Sequence, residues 1–198
     1  MTSREPPRYP AIVEAFARSD PSRTGIAAPV ARPNPLARVT MLVQKQLDLV
    51  EARIIEQAAA FDPAIEGYVT YAIGGRGKRL RPLMALLAGG ATGPINSGHV
   101  DLAVIVELIH LATLVHDDVM DEAERRRAQP TINARWGNSL SVLLGDCLFA
   151  HALNLSTSFD NSEISRAIAR AASEICSGEM IQTQRRFEIG RASCRERV

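Results

Sequence analysis

The chain has 198 residues, of which 46% are apolar, 23% charged and 5% aromatic, and its formal net charge is +1. This composition is typical of a helical globular protein with an aliphatic core, and it excludes a disordered chain. The near-neutral charge excludes a general electrostatic attraction to nucleic acid or membrane. Three irregularly spaced cysteines fit neither a disulfide framework nor a zinc site, and the first residues lack the apolar core of a signal peptide. We therefore expect a cytoplasmic protein.

Two terminal segments differ from the rest of the chain. Residues 1–35 hold seven of the eleven prolines and predict a flexible Pro-rich arm. Residues 188–198 break the preceding helical pattern and resemble a translated sequencing adaptor, so we expect the native sequence to end near Phe187. Without this tail the chain has 20 basic and 20 acidic residues. We expect the two cysteines that remain, Cys147 and Cys176, to be core thiols.

Apolar residues recur at helical spacing along most of the chain. The patterns predict helices over 36–60, 64–73 and 83–87, a long helix that Ser97 caps and that runs through 104–127, and further helices over 139–155 and 161–187, the last capped by Ser162. The glycines at 74–77 and at 89–90 are expected to break or end helices. No alternating run predicts a strand, and the candidate membrane spans contain charged residues. We expect an all-α protein without a transmembrane segment.

The long helix carries two acidic residues one turn apart. His110, Asp117 and Asp121 fall on one side of this helix, and Thr113 lies on the same side. Two stacked carboxylates repel each other unless a cation lies between them. Their oxygens suit Mg²⁺, which commonly bridges one or two carboxylates to substrate phosphates. A solvated acidic helix end is the simpler interpretation of this feature taken alone.

Basic residues occur on both sides of this helix in the sequence. In the turn at 74–82, glycines permit a close backbone approach, and Lys78 and Arg81 could hold a diphosphate. A P-loop is excluded because Ala72 and Arg79 stand where that motif needs Gly and Ser or Thr. Arg125–Arg127 follow the acidic residues and could neutralise a diphosphate held by a metal. Taken alone, each basic segment is equally consistent with a solvated charge run.

In combination and in this order, these motifs describe a site for two diphosphates and a metal. Residues 36–187 resemble the N-terminal part of the trans-polyprenyl diphosphate synthases, the polyprenyl synthetase family. The resemblance is carried by the segments 77–82, 107–123, 145–146 and 177–182. It implies an isoprenoid synthase-type helical bundle, truncated before a second Asp-rich motif, that uses Mg²⁺ and forms a homodimer when complete.

Residue roles follow from the same resemblance. It implies that isopentenyl diphosphate is held by Lys78, Arg81, His110 and Arg127. It further implies that Asp117 and Asp121 bind Mg²⁺ on the allylic diphosphate, which Arg126 contacts. Asp117, Asp121, Lys78 and Arg81 would be the catalytic set. In the family, the allylic diphosphate departs, the isopentenyl double bond attacks the resulting cation, and loss of a proton restores an alkene.

The expected product is a long-chain all-trans polyprenyl diphosphate. Each helical turn rises about 5.4 Å, close to one isoprene unit, so a bulky residue one turn before Asp117 would stop growth early. Ala112 and Thr113 stand there and are both small. Because the second Asp-rich motif is absent from these residues, we expect the 198-residue chain to be inactive and poorly folded alone.

Four alternatives remain at this point. The chain could be a non-catalytic subunit or binding protein of the same fold, although such a scaffold needs none of the charged residues above. It could be a short-chain synthase that makes farnesyl or geranylgeranyl diphosphate. A terpene cyclase shares the acidic motif but has no need of the Lys78 and Arg81 pair, and a nucleic-acid-binding module is disfavoured by the neutral charge.

Overall fold

The computed structural model describes residues 35–75 and 77–185. The chain divides into two units, residues 1–35 and 36–198, and the description below concerns the second. The predicted arm, apart from Pro35, and the predicted 188–198 tail lie outside the described residues.

The described residues form helices with one two-stranded hairpin. In chain order they are α1 (Pro35–Met41), α2 (Gln44–Glu56), a 3-10 turn (Gln57–Ala60), α3 (Pro63–Ile73), α4 (Leu80–Thr92), α5 (Ser97–Met120), β1 (Arg125–Arg126), β2 (Gln129–Pro130), α6 (Ile132–Trp136), α7 (Asn138–Ser156) and α8 (Ser162–Arg185). This confirms the predicted all-α class, although the expectation of no strand was wrong for the hairpin.

The core is built around α5. This helix packs along α7 and also against α4 and α2. Its apolar residues Ile105 and Leu108 are fully buried, as are Leu86 of α4, Leu148 of α7 and Ile54 of α2. Removal of such aliphatic side chains from water is the main favourable contribution to folding. By contrast, α8 has no fully buried residue, so one side of α5 is covered less completely.

Several predicted helix limits need correction. The 36–60 pattern is interrupted, because α1 and α2 are separate helices and the last turn is 3-10. The helix expected to end at Gly89 continues to Thr92. A Cβ at Gly89 would overlap the imidazole of His99, so this glycine permits close packing of α4 on α5 and does not end the helix.

The helix caps also differ in part from the sequence pattern. Asn96 caps α5 in place of Ser97: its side chain accepts from the His99 backbone N–H, and the His99 imidazole accepts from the Asn96 N–H. At the start of α8, Asn161 accepts from the Glu163 N–H at 3.0 Å, where Ser162 had been the expected cap. In both cases the amide one residue earlier has the geometry that satisfies an otherwise unpaired backbone N–H.

The two predicted core thiols are both exposed. Cys147 lies at the exposed edge of α7, beside the buried Leu144 and Leu148, and Cys176 lies on α8, which buries no residue completely. The prediction was therefore wrong. Burial of a small thiol depends on which face of its helix packs against a neighbour, and the sequence composition does not reveal that face.

Two helices, α5 and α7, are long and apolar enough to span a membrane by length and composition. In this structure both supply residues to the protein core, and the core helices of many proteins pass the same test. The expectation of no transmembrane segment stays a prediction.

Candidate active site

A groove of about 860 Å³ runs between α5 and α8. Three of the predicted catalytic and substrate-binding residues line it: Arg81 at the start of α4, and His110 and Asp117 on α5. The rest of its lining is mostly apolar: Val106, Ile109, Met120, Ile168, Ala171, Ala172, Ile175 and Met180. A cation, an imidazole and a carboxylate thus share one hollow with apolar walls.

Asp117 experiences an excess of negative charge in this groove. Its pKa is raised above the ordinary value, first by burial and then by the carboxylates of Glu179 on α8 and of Asp121. A bound divalent cation would offset these effects, and Mg²⁺ needs only one or two protein carboxylates when substrate phosphates complete its coordination. The residues present therefore fit a metal shared with a diphosphate. Among the described residues, no three metal-ligating side chains cluster into a site complete without substrate.

Asp121 lies where α5 ends. Its backbone N–H donates to the Asp117 carbonyl oxygen at 2.8 Å, and its side chain is exposed. The long helix was expected to continue to Arg127, but it ends at Met120. Asp121 is therefore held one turn from Asp117, as predicted, but it is not among the residues that line the groove. Lys78 is also exposed and outside the lining.

Two turns follow α5, one directly after Asp121 and one between β1 and β2, and three residues in them adopt left-handed backbone conformations. They are Glu122, Arg127 and Ala128, with φ values of 50°, 49° and 67°. Such angles are uncommon for residues with a Cβ, so nearby contacts must stabilise them. The Asn133 side-chain amide donates to the carbonyl oxygens of Asp118 and Ala123 at 3.2 and 3.1 Å. The Thr131 hydroxyl donates to the same Ala123 carbonyl at 2.6 Å.

The first of these turns brings Arg126 back to Asp118. The Arg126 guanidinium donates from Nε to Asp118 Oδ1 at 2.9 Å and from Nη2 to the same oxygen at 2.8 Å. Asp118 is only 6% exposed. The pKa of Arg126 is raised, mainly by this hydrogen bond. Asp118 lies off the helix side shared by Asp117 and Asp121, and only the position of Arg126 reveals its structural role.

A second, smaller cavity of about 380 Å³ lies on the other side of α5. Arg126 and Arg127 line it together with Gly74 and Gly75 of the glycine-rich turn. A Cβ added to Gly77 would lie 2.9 Å from the Arg127 guanidinium, so Arg127 rests directly over the turn. The two basic segments, 50 residues apart in sequence, thus meet beside the end of α5.

The two histidines near the acidic residues have different surroundings. The pKa of His110 is lowered, first by burial and then by the positive charge of Arg81, so its imidazole is held neutral near pH 7. The His116 Nε2 lies 3.1 Å from the Val142 carbonyl oxygen of α7. A Cβ at Gly145 would overlap the His116 ring, so the absence of a side chain there lets α7 pack on α5 beside Asp117.

The two predicted chain-length positions are on different sides of α5. Thr113 lines the groove one turn before Asp117. Ala112 is 1% exposed and belongs to the core, and it does not line the groove.

Comparison with known proteins matches most of this chain to one family. The polyprenyl synthetase family model matches residues 62–195, so the match extends into the segment expected to be foreign. Octaprenyl diphosphate synthase of Escherichia coli is 37% identical over 147 residues, covering 74% of this chain and 46% of the relative. The chain therefore spans about half the length of the curated relatives it matches.

Solved structures show the same fold. A decaprenyl diphosphate synthase from Rhodobacter capsulatus superposes with a TM-score of 0.70 at 38% identity, covering 76% of this chain and 46% of that protein. A polyprenyl synthase from Caulobacter crescentus, solved with calcium and isoprenyl diphosphate, gives 0.71 at 36% identity, covering 78% and 47%. The described helices thus have the isoprenoid synthase fold, and the chain belongs to the polyprenyl synthetase family.

Proposed function

We propose that this chain is the N-terminal part of a prenyltransferase that condenses isopentenyl diphosphate with an allylic diphosphate to give a long-chain all-trans polyprenyl diphosphate. One observation carries the proposal: Arg81, His110 and Asp117 line a single groove whose other walls are mainly apolar. Such a hollow suits a ligand with an anionic head and a hydrocarbon tail.

The two substrates are assigned to two sets of charged residues. Lys78, Arg81, His110 and Arg127 would hold isopentenyl diphosphate, with arginine supplying a planar fork and lysine a point charge. A neutral His110 would donate one hydrogen bond to a phosphate oxygen without adding a further charge. Arg127 already lies over Gly77, which places it beside the turn that carries Lys78.

Asp117 and Asp121 would hold Mg²⁺ on the allylic diphosphate. When bound, the metal would draw charge onto the departing diphosphate. Arg126 would contribute positive charge at the same end of α5, and its contact with Asp118 would hold it in place before substrate arrives. The apolar side chains of α5 and α8 would exclude water from a cationic intermediate.

Three finer statements belong to the same proposal. The small Thr113 in the groove wall supports a long-chain product over farnesyl diphosphate. A homodimer and a cytoplasmic location remain predictions. Because the chain spans about half of its relatives' length, we infer that it needs further helices to close the groove and that it does not turn over alone.

The deciding experiment supplies labelled isopentenyl diphosphate, an allylic primer and Mg²⁺ to a polypeptide that continues this chain through the rest of the family fold. Mg²⁺-dependent formation of labelled polyprenyl diphosphate is expected, and its chain length distinguishes long-chain from short-chain synthases. Release of a hydrocarbon from the primer alone would indicate a cyclase instead. Binding of both substrates without any transfer would indicate a non-catalytic subunit.

A further inference from the structure

Arg79 stands between Lys78 and Arg81 in a strongly basic segment, but its surroundings differ from theirs. Lys78 and Arg81 are exposed, whereas the Arg79 side chain is only 13% exposed. Arg79 also lines neither the groove nor the smaller cavity. Its burial argues against a role as a third phosphate ligand beside Lys78 and Arg81.

The Arg79 guanidinium is fully engaged with protein acceptors. Its Nε and Nη2 donate to the two carboxylate oxygens of Glu51 on α2, at 2.7 and 2.9 Å. Its Nη1 donates to Glu107 on α5 at 2.8 Å, and Nη2 also approaches the Ile73 carbonyl oxygen at the end of α3 at 3.4 Å. One side chain thus joins three helices to the segment that begins α4.

Glu107 links Arg79 to the part of α5 that lines the groove. It is 4% exposed, and its carboxylate is paired with the Arg79 guanidinium. It also lies three residues before His110, which is one turn along α5. The ion pair therefore connects the basic segment to the part of α5 that presents His110 to the groove, where Arg81 is also found.

The backbone at Arg79 adds a second observation. Its φ and ψ are 46° and 40°, a left-handed conformation that is unfavourable for a residue with a Cβ. This residue directly precedes the first turn of α4. The contacts with Glu51 and Glu107 supply the interactions that hold this conformation.

We propose that Arg79 is a positioning residue, whose ion pairs with Glu51 and Glu107 hold the backbone of residues 77–81 so that Lys78 and Arg81 can grip one diphosphate. The inference rests on the proposed function, because it takes Lys78 and Arg81 as ligands of isopentenyl diphosphate. It assigns no ligand contact to Arg79 itself.

The test uses the polypeptide that continues this chain through the rest of the family fold, with two substitutions made together, Arg79→Asn and Glu107→Gln. Asparagine tolerates the left-handed backbone at position 79, and glutamine at position 107 avoids an unpaired buried charge. The fold is therefore expected to be retained while the guanidinium contacts to Glu51 and Glu107 are lost. Arg79→Lys keeps the positive charge but cannot span both carboxylates. The matched control is Arg53→Met with Asp101→Asn, which removes another ion pair between α2 and α5 without touching the basic segment.

Three measurements are made on each protein: isopentenyl diphosphate affinity by calorimetry, amide hydrogen exchange at residues 77–81, and the rise in melting temperature caused by Mg²⁺. For the Arg79→Asn/Glu107→Gln protein we expect at least tenfold weaker binding, faster exchange at 77–81 and an unchanged response to Mg²⁺. The affinity of Arg79→Lys for isopentenyl diphosphate should fall at least fivefold. The Arg53→Met/Asp101→Asn control should bind as tightly as the unsubstituted polypeptide. If Arg79 had only a general structural role, the affinity for isopentenyl diphosphate and the rise in melting temperature with Mg²⁺ would fall together.

Retention of affinity within twofold in the Arg79→Asn/Glu107→Gln protein would overturn the proposal and leave the proposed function standing. Full affinity in Arg79→Lys would likewise overturn it, since charge alone would then suffice. Failure of the unsubstituted, completed polypeptide to bind isopentenyl diphosphate would reject the proposed function, and this inference with it.

Discussion

Asp118 and Arg126 form an ion pair that closes the turn at the end of α5, with Arg126 Nη2 2.8 Å from Asp118 Oδ1. Asp118 is buried and Asp121 is exposed, although both belong to one acidic motif. The motif therefore divides into a structural carboxylate at Asp118 and two carboxylates, Asp117 and Asp121, available to a metal.

Asp118→Asn is expected to lower the free energy of unfolding by about 1–3 kcal/mol, the usual cost of losing a charged hydrogen bond. Asp121→Asn is the matched control, because an exposed side chain at this position should change stability by less than about 0.5 kcal/mol. Urea unfolding of the two variants measures the difference. Equal effects would show that the Arg126 contact contributes nothing to the turn.

Asp117→Asn is expected to raise the melting temperature of the metal-free chain at neutral pH. The pKa of Asp117 is raised in the folded state by burial and by Glu179, so the folded state retains its proton to higher pH than the unfolded state does. The free energy of unfolding consequently falls as pH rises above 3.8, the ordinary pKa of an aspartate. Asparagine cannot ionise, so Asp117→Asn removes this loss of stability.

In the presence of Mg²⁺, the unsubstituted chain should be more stable than Asp117→Asn. A cation that binds only the folded state stabilises it, so the unsubstituted chain should gain stability while Asp117→Asn gains little. Thermal unfolding with and without Mg²⁺, followed by chelation with EDTA, measures both effects. An equal Mg²⁺ response in the two proteins would argue against a metal at Asp117.

Gly145→Ala is expected to destabilise the chain by about 1–3 kcal/mol, because the new methyl group would displace the His116 ring between α7 and α5. Gly178→Ala is the control. No atom lies within 4 Å of a Cβ built there, so this substitution should be neutral or stabilise α8 by up to about 1 kcal/mol. Chemical unfolding of both variants provides the test, and a neutral Gly145→Ala would contradict the close packing.

Stability should fall as pH falls below the ordinary histidine value of 6.5. Burial lowers the pKa values of His110 and His151, so in that window the unfolded state binds more protons than the folded state. His151 also shares a hydrogen bond of 2.9 Å with Gln57. His151→Gln keeps a polar group but cannot titrate, and it should flatten the slope of stability against pH. An unchanged slope would show that His151 does not contribute.

Product length provides a test in a polypeptide that completes the fold. Thr113→Phe should shorten the product, because Thr113 lines the groove one turn before Asp117. Ala112→Phe, the substitution suggested by spacing alone, places a large ring in the core and should destabilise the fold by about 1–3 kcal/mol. Chromatography of the labelled products distinguishes the two variants. An unchanged product length with Thr113→Phe would contradict a role of Thr113 in limiting chain growth.

The sequence by itself determined the helical class, the placement of His110 and Asp117 on one side of a long helix, and the basic character of the turn before α4. These features follow from helical periodicity and residue chemistry, which act over a few positions along the chain. The motif order was also specific enough to identify the family without coordinates.

Only the tertiary structure decided which charged residues face the groove and which hold the protein together. Arg79 and Glu107 are 28 residues apart, and their ion pair exists only because α4 and α5 pack side by side. The close approach at Gly89, read from sequence as a helix end, likewise depends on the helix opposite it. Local patterns fix the faces of each helix, but contacts between helices decide which face is buried and which charge finds a partner.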